Sequence, residues 1–397
     1  MNFKRLQVSN VSSFLVYALA FSLPLFPLMS SYLTVTMVVT AGAKIIKQKK
    51  FPVKFPHSLK WLVAYYLWVF IGIFFTSNHP ALFTDLRIKI PFVLFPVLFS
   101  IISIDLKKLK YAFIAGNVIA VLICFSNALA YWFFQKTTDY FFYTKFSYFM
   151  HPGYFSMYLL LAIIFVWDEL VNKNSFFVKW LMINVLIVFA GAILLLSSRT
   201  AVVITPLLIG FLMIKSVLKR KQVVLSVIIT ILMTGGSWYL IQQNKISNRL
   251  SVSNLLNLKQ NIRYRVWQSS AKVFLQNPIP GTTSGDVKAQ LQQQFEKDNI
   301  PQAVKRQYNA HNQFLQILVA NGIVGMMLML MHWIFFLKEQ ITRKNFTAVM
   351  FLIVVLAFMT TESVLERQAG AMFYAFFIAI FANNIYVSHD QQKKHTV

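Results

Sequence analysis

Three short stretches carry the residues best suited to chemistry. In YNAHNQFLQ, Tyr308 to Gln316, the imidazole of His311 and the carboxamides of Asn309 and Asn312 run straight into an apolar helix pattern. In LLLSSRTAVV, Arg199 follows Ser197 and Ser198 and precedes Thr200. In RYRVWQSSAKVF, Arg263 and Arg265 stand two residues apart, just ahead of Trp267. Arginine stays protonated and presents a planar fork of donors that fits phosphate oxygens in pairs. A helix starting at Thr200 would bring its N-terminal amides and positive dipole end to the same place as Arg199 and the three hydroxyls. Together these groups suit an anionic ligand. A free imidazole titrates at about pH 6.5, so His311 could take a proton from a hydroxyl near neutrality. The plainer alternatives are a helix start capped by Asn309 or Asn312 and interfacial arginines with their heads in water.

Other chemistries find little support. Glu296 and Asp298 stand two apart on an expected helix, and side chains at that spacing do not share a face. There is no Asp-x-Asp pair and no persuasive hydroxyl-nucleophile triad. The single cysteine, Cys124, lies in an apolar run, which argues against a disulfide framework or a cysteine metal site. Neither metal nor cofactor is expected.

The elements that must position these residues are helices in a bilayer. The chain has 397 residues, 57% of them hydrophobic and 13% charged, about half the charged fraction of a soluble protein. Apolar runs long enough to cross a membrane lie near 11–29, 31–46, 59–76, 90–104, 111–134, 153–169, 177–197, 200–217, 222–241, 312–337, 345–361 and 369–387. The expected architecture is therefore an all-α polytopic membrane protein of about 12 transmembrane helices, with one large outer loop containing short helices. Residues 1–241 would hold helices 1–9, residues 242–310 the loop, and residues 311–397 helices 10–12 and a tail. The apolar stretch 11–30 lacks a small-residue cleavage site and reads as a first span rather than a signal peptide. The 242–310 loop is too small and too polar for a core of its own, so it should pack on the helices. Within it, the segment NIRYRVWQSSAKVFLQ reads as an amphipathic helix ended by NPIPG, and a second, polar helix follows, broken at Pro301.

Basic residues orient the chain. With twelve alternating spans, 22 of the 38 Lys and Arg fall on the face that carries both termini, and ten of the other 16 fall in the long loop. Short segments set orientation, and positive charge marks the cytoplasmic side. Both termini should then be cytoplasmic, and the long loop should face outward. The outer face holds seven arginines (Arg87, Arg199, Arg249, Arg263, Arg265, Arg306 and Arg367) against three inside. Lysine would serve for topology alone, so this excess supports a phosphorylated ligand outside. The net charge of +26 has no nucleic-acid framework around it, and the inner basic runs read as topology signals and contacts with anionic membrane lipids. Among the other histidines, His151 precedes Pro152-Gly153 and reads as a turn. His57, His332, His389 and His395 fall inside or within a span, and His79 precedes a proline in a loop.

LLLSSRTAVV, RYRVWQSSAKVFLQNPIPGTTSGD and AHNQFLQILVANGIVGM together resemble the O-antigen ligase family, whose relatives include O-antigen polymerases. The resemblance runs over roughly 190–330. Its most specific piece is His-Asn-x-Phe-Leu followed by Gly322-x-x-Gly325; the turn after NPIPG departs from it, with Thr282, Thr283 and Ser284 where glycine is common. TESVLERQAG, with Glu362, Glu366 and Arg367, looks like a feature of some members. The resemblance implies a GT-C-like, metal-independent, inverting glycosyltransferase of the bacterial inner membrane. Its donor would be an undecaprenyl-diphosphate-linked glycan, used on the periplasmic side, and its acceptor a hydroxyl such as that of lipid A-core. On this resemblance Arg199 and Arg263, with Arg265, would hold the diphosphate and His311 would act as base; Asn312, Arg87, Glu362 and Arg367 are the candidate supporting residues. A polymerase using the same donor is the alternative within enzymes. A transporter would carry internal repeats and mid-membrane ionisable residues, and no repeat is visible.

Overall fold

A computed structural model describes residues 3–48, 55–172, 175–215 and 261–383. Every regular element among them is helical. In chain order these are α1 (Phe3–Ser22), α2 (Pro27–Gln48), α3 (His57–Ile71), α4 (His79–Lys89), α5 (Pro91–Phe99), α6 (Leu106–Gln135), α7 (Tyr143–Phe146), α8 (Pro152–Asn172), α9 (Phe176–Leu196) and α10 (Arg199–Lys215). After residues 216–260 come α11 (Ile262–Gln276), α12 (Val287–Lys297), α13 (Pro301–Lys305), α14 (Gln313–Thr342), α15 (Phe346–Met359) and α16 (Gln368–Ala382). Among the described residues, five helical segments are long and apolar enough to cross a bilayer: 57–74, 106–135, 152–172, 176–196 and 313–342. Shorter apolar helices stand at 11–22, 29–43, 199–212, 346–359 and 368–382. This is a membrane protein.

The span expected at 90–104 takes a different form. Pro96 sits inside α5, which stops at Phe99 after nine residues, about 13 Å of helix against a hydrocarbon core of about 30 Å. Immediately before it, the expected loop residues 79–89 are helical, with Pro80 in the first turn of α4 and Asn78 capping it through Ala81 N–H (3.1 Å). The span expected at 222–241, with Arg220, Arg249, His389 and His395, lies outside the described residues.

The chain divides into two compact units. The first contains Met1–Phe113, Arg265–Leu352 and Met359–Val397. Its core is aromatic: Phe95 stacks on Phe99 (5.4 Å between centroids), and the Phe376 edge meets both. Helix α14 runs along α3, while α16 lies against α5 and is buried from Gly370 to Ala382. His332 is fully buried here, within hydrogen-bond reach of the Ser58 carbonyl (2.8 Å) and the Tyr374 hydroxyl (2.6 Å). An unsatisfied imidazole would be costly in such surroundings, and this one is satisfied as a structural side chain. The second unit contains Ile114–Tyr264 and Ile353–Phe358. In it α9 and α10 pack on the largely buried α8. His151 accepts the Gly153 N–H (3.3 Å) and so caps the start of α8, the turn role expected from Pro152-Gly153.

Candidate active site

His311 stands at the mouth of α14 in a left-handed conformation (φ 46°), a region few non-glycine residues visit and histidine visits more than most. Asn309 Oδ1 accepts its N–H at 3.0 Å. The Tyr308 ring meets the imidazole edge-on at 4.7 Å. Helices α12 and α13 hold that tyrosine: its carbonyl accepts from Gln292 Nε2 (3.0 Å) and its N–H donates to the Ala303 carbonyl (3.0 Å). Trp267 of α11 donates its indole N–H to the His311 carbonyl at 3.4 Å. The imidazole Nδ1 faces Glu362 Oε2 at 3.3 Å, both side chains about one-quarter exposed. A carboxylate at Nδ1 favours the tautomer with hydrogen on that atom, which leaves the Nε2 lone pair to accept a proton.

The residues after His311 bind the segment that carries Glu362. Asn312 caps α14 through Leu315 N–H (3.1 Å) and donates Nδ2 to the Thr360 carbonyl (3.0 Å). Gln313 is fully buried; its Oε1 accepts the Leu365 N–H at 2.6 Å and its Nε2 reaches Glu366 Oε1 at 3.4 Å. That same Glu366 oxygen accepts from Lys89 Nζ (3.1 Å), and Lys89 also pairs with Asp85 one turn earlier on α4. Burial pushes the Glu366 carboxyl above the usual range, and Lys89 pulls it back part of the way.

Two glycines let the NPIPG turn seat on α14. Gly322 (φ 64°) breaks the helical conformation there, and Gly281 has φ 77°. The backbones touch: Thr282 N–H donates to the Val319 carbonyl and Ile323 N–H to the Pro278 carbonyl, each at 2.8 Å. A Cβ on Gly281 would sit 2.5 Å from Gly322 N, and one on Gly322 would overlap the Ile279 carbonyl. Asp286 fastens the following turn, accepting from Thr76 (3.0 Å), Ser77 N–H (2.9 Å) and Thr283 (3.1 Å). The loop segment 265–310 thus packs on helices, as its polar composition requires.

Residues 184–330 match the O-antigen ligase family. The resemblance drawn from the three stretches therefore holds over this segment, and it contains Arg199, Arg263, Arg265, His311, Gly281 and Gly322. The O-antigen ligase family implies ligase- or polymerase-type glycosyl transfer, with a lipid-linked glycan and a lipid acceptor as partners. A comparison with curated proteins finds no match. Lys89, Asp85, Glu362 and Glu366 fall outside the matched segment.

The arginines divide by environment. Arg199 opens α10, one residue earlier than expected, after Ser197 turns the chain with φ 48°. The Ser197 hydroxyl donates back to the Leu194 and Leu195 carbonyls (3.2 and 3.3 Å), so it serves the end of α9. Arg263 lies in the first turn of α11, its N–H held by Asn261 Oδ1 (3.0 Å). Arg265 donates Nη2 to the carbonyls of Asp298 (2.9 Å) and Asn299 (2.8 Å), bracing α11 against the turn after α12. Beside it, Asp298 accepts from Ser269 and Lys272, both at 2.6 Å. Burial alone would raise the Asp298 carboxyl, but the bonds from Lys272, Ser269 and Gln294 hold it below the ordinary carboxylate range. Arg87 and Arg367 are exposed. Among the described residues, no group of three or more His, Cys, Asp or Glu side chains could hold a metal ion.

Sequence reasoning missed Lys89 and Gln313. The i, i+4 spacing of Asp85 and Lys89 was a usable signal for the pair, but nothing local points to Glu366, 277 residues away.

Proposed function

We propose that this protein transfers a glycan from undecaprenyl diphosphate to a hydroxyl acceptor such as lipid A-core, at the periplasmic face of the bacterial inner membrane. The observation that carries the reading is the His311–Glu362 pair at the mouth of α14, in a chain whose 184–330 segment matches the O-antigen ligase family. The acceptor hydroxyl gives its proton to His311 Nε2 as its oxygen attacks the anomeric carbon. The bond from that carbon to the diphosphate oxygen breaks, the electron pair leaves with the diphosphate, and the anomeric configuration inverts. Glu362 stabilises the imidazolium that forms. Arg199 and Arg263 hold the departing diphosphate by charge-assisted hydrogen bonds, which can stabilise its negative charge without a metal. Arg265 contributes by bracing α11. Asn312 fixes the start of α14, and Arg87 and Arg367 add positive charge for an anionic lipid.

Reconstituted wild-type and His311→Ala protein, each given lipid-linked glycan with and without lipid A-core, test this reading. Transfer by wild type only when the acceptor is present, with loss of at least about a hundredfold in the variant, is the expected result. Elongation of the lipid-linked glycan without acceptor would make the protein a polymerase. Full activity in His311→Ala would reduce His311 to part of a helix start.

A further inference from the structure

We propose that Lys89 is a positioning residue for the His311–Glu362 pair, acting through Glu366 and the turn 360–366; the proposal rests on the glycan-transfer reading above. Lys89 is wholly buried on α4 between Asp85 and Glu366. A buried ammonium is expensive, and replacing buried ion pairs with apolar side chains is often neutral or stabilising. A need for positioning explains why the charge is here.

Two chain segments carry the acid–base pair, and the Lys89 cluster joins them. His311 lies two residues before Gln313, and Glu362 lies four residues before Glu366. Gln313 Oε1 takes the Leu365 N–H at 2.6 Å, while Lys89 Nζ and Gln313 Nε2 share Glu366 Oε1 at 3.1 and 3.4 Å. At the other end of the turn, Asn312 holds the Thr360 carbonyl at 3.0 Å. The Glu362 carboxylate is therefore presented by a turn pinned on both sides. Removing the ammonium would leave Asp85 and Glu366 without a counter-charge, so the buried Glu366 carboxyl would take up a proton or turn toward water. Either change gives up the Lys89 donor that holds Glu366 beside Gln313 and loosens the hold on Glu362 near Nδ1, without touching substrate.

The test uses full-length Lys89→Met and Glu366→Gln in proteoliposomes, with steady-state glycan transfer and amide hydrogen exchange read on the same preparations. Lys89→Met should lower kcat at least about tenfold while KM for the lipid-linked donor stays within about twofold. In a Glu362→Gln background the same substitution should cost less than about twofold, because there is no carboxylate left to position. Exchange should quicken in 359–367 while α11 and α12 stay protected. Full kcat in folded Lys89→Met, an equal loss in the Glu362→Gln background, or unchanged exchange at 359–367 would each overturn the proposal. If Lys89→Met does not fold, Glu366→Gln decides, since it leaves the Asp85–Lys89 pair intact: a tenfold fall in kcat supports positioning and an unchanged kcat refutes it. If the wild type transfers no glycan at all, the functional reading fails, and exchange at 359–367 alone judges the link from Lys89 to the turn.

Discussion

Replacing Gly322 with alanine tests the seating of the NPIPG turn on α14, and its cost can be worked from the backbone. A φ of 64° with ψ −165° lies in a region essentially reserved for glycine and costs a residue bearing a Cβ about 1–3 kcal/mol. The new Cβ would overlap the Ile279 carbonyl, so the turn must lift from the helix. It would lose the Thr282-to-Val319 and Ile323-to-Pro278 hydrogen bonds, both 2.8 Å, at about 1 kcal/mol each. The sum is about 3–5 kcal/mol, well above an ordinary single substitution. Gly191→Ala is the comparison: nothing lies within 4 Å of a Cβ there, and alanine favours a helix interior over glycine by about 1 kcal/mol. Thermal unfolding in mild detergent, followed by tryptophan fluorescence, should show Gly322→Ala melting about 5 °C or more below wild type. Gly191→Ala should melt at or above it. A Gly322→Ala protein as stable as wild type would mean that the turn does not depend on this close approach, and the reasoning would be wrong.

Asp298→Asn should destabilise the α11–α12 contact at neutral pH by about 1 kcal/mol, the scale of a charge-assisted bond partly screened by solvent. Because folding lowers the Asp298 pKa, its contribution is complete above the unfolded carboxylate value of about 3.9 and is lost as pH falls through the lower folded value. Exchange of α11 amides should therefore differ between variant and wild type at pH 7 and converge as pH falls through that lowered value; a constant difference would sink this account. Arg199→Lys and Arg263→Lys keep charge but lose the fork. Each should lower transfer about tenfold in the reconstituted assay, and two fully active lysine variants would refute the diphosphate role.

Much of this protein could be read along the chain because bilayer burial and helix termination are local properties. The 176–196 helix carries one charged side chain in 21 residues, so its apolar run and its end, expected at 197 and found at 196, were both legible. So were the helix at 262–276, its stop at NPIPG and the break at Pro301, since proline and glycine act on their own backbone. His311, Arg199 and Arg263 stood out by type and by position at helix ends. Tertiary structure decided the rest. Which acid faces His311 depends on how α14 meets the turn before α16, and Glu362 is 51 residues away. Lys89 looked like an outer-loop charge, and only the packing of α4 against that turn buries it with Glu366. NPIPG could be read as a local break, whereas Gly322 stood inside a span expected over 312–337, and their purpose is mutual: two backbones approach too closely for any side chain between them. Periodicity and termination belong to a segment, whereas rotation, depth and contact belong to pairs of segments that sequence spacing does not relate.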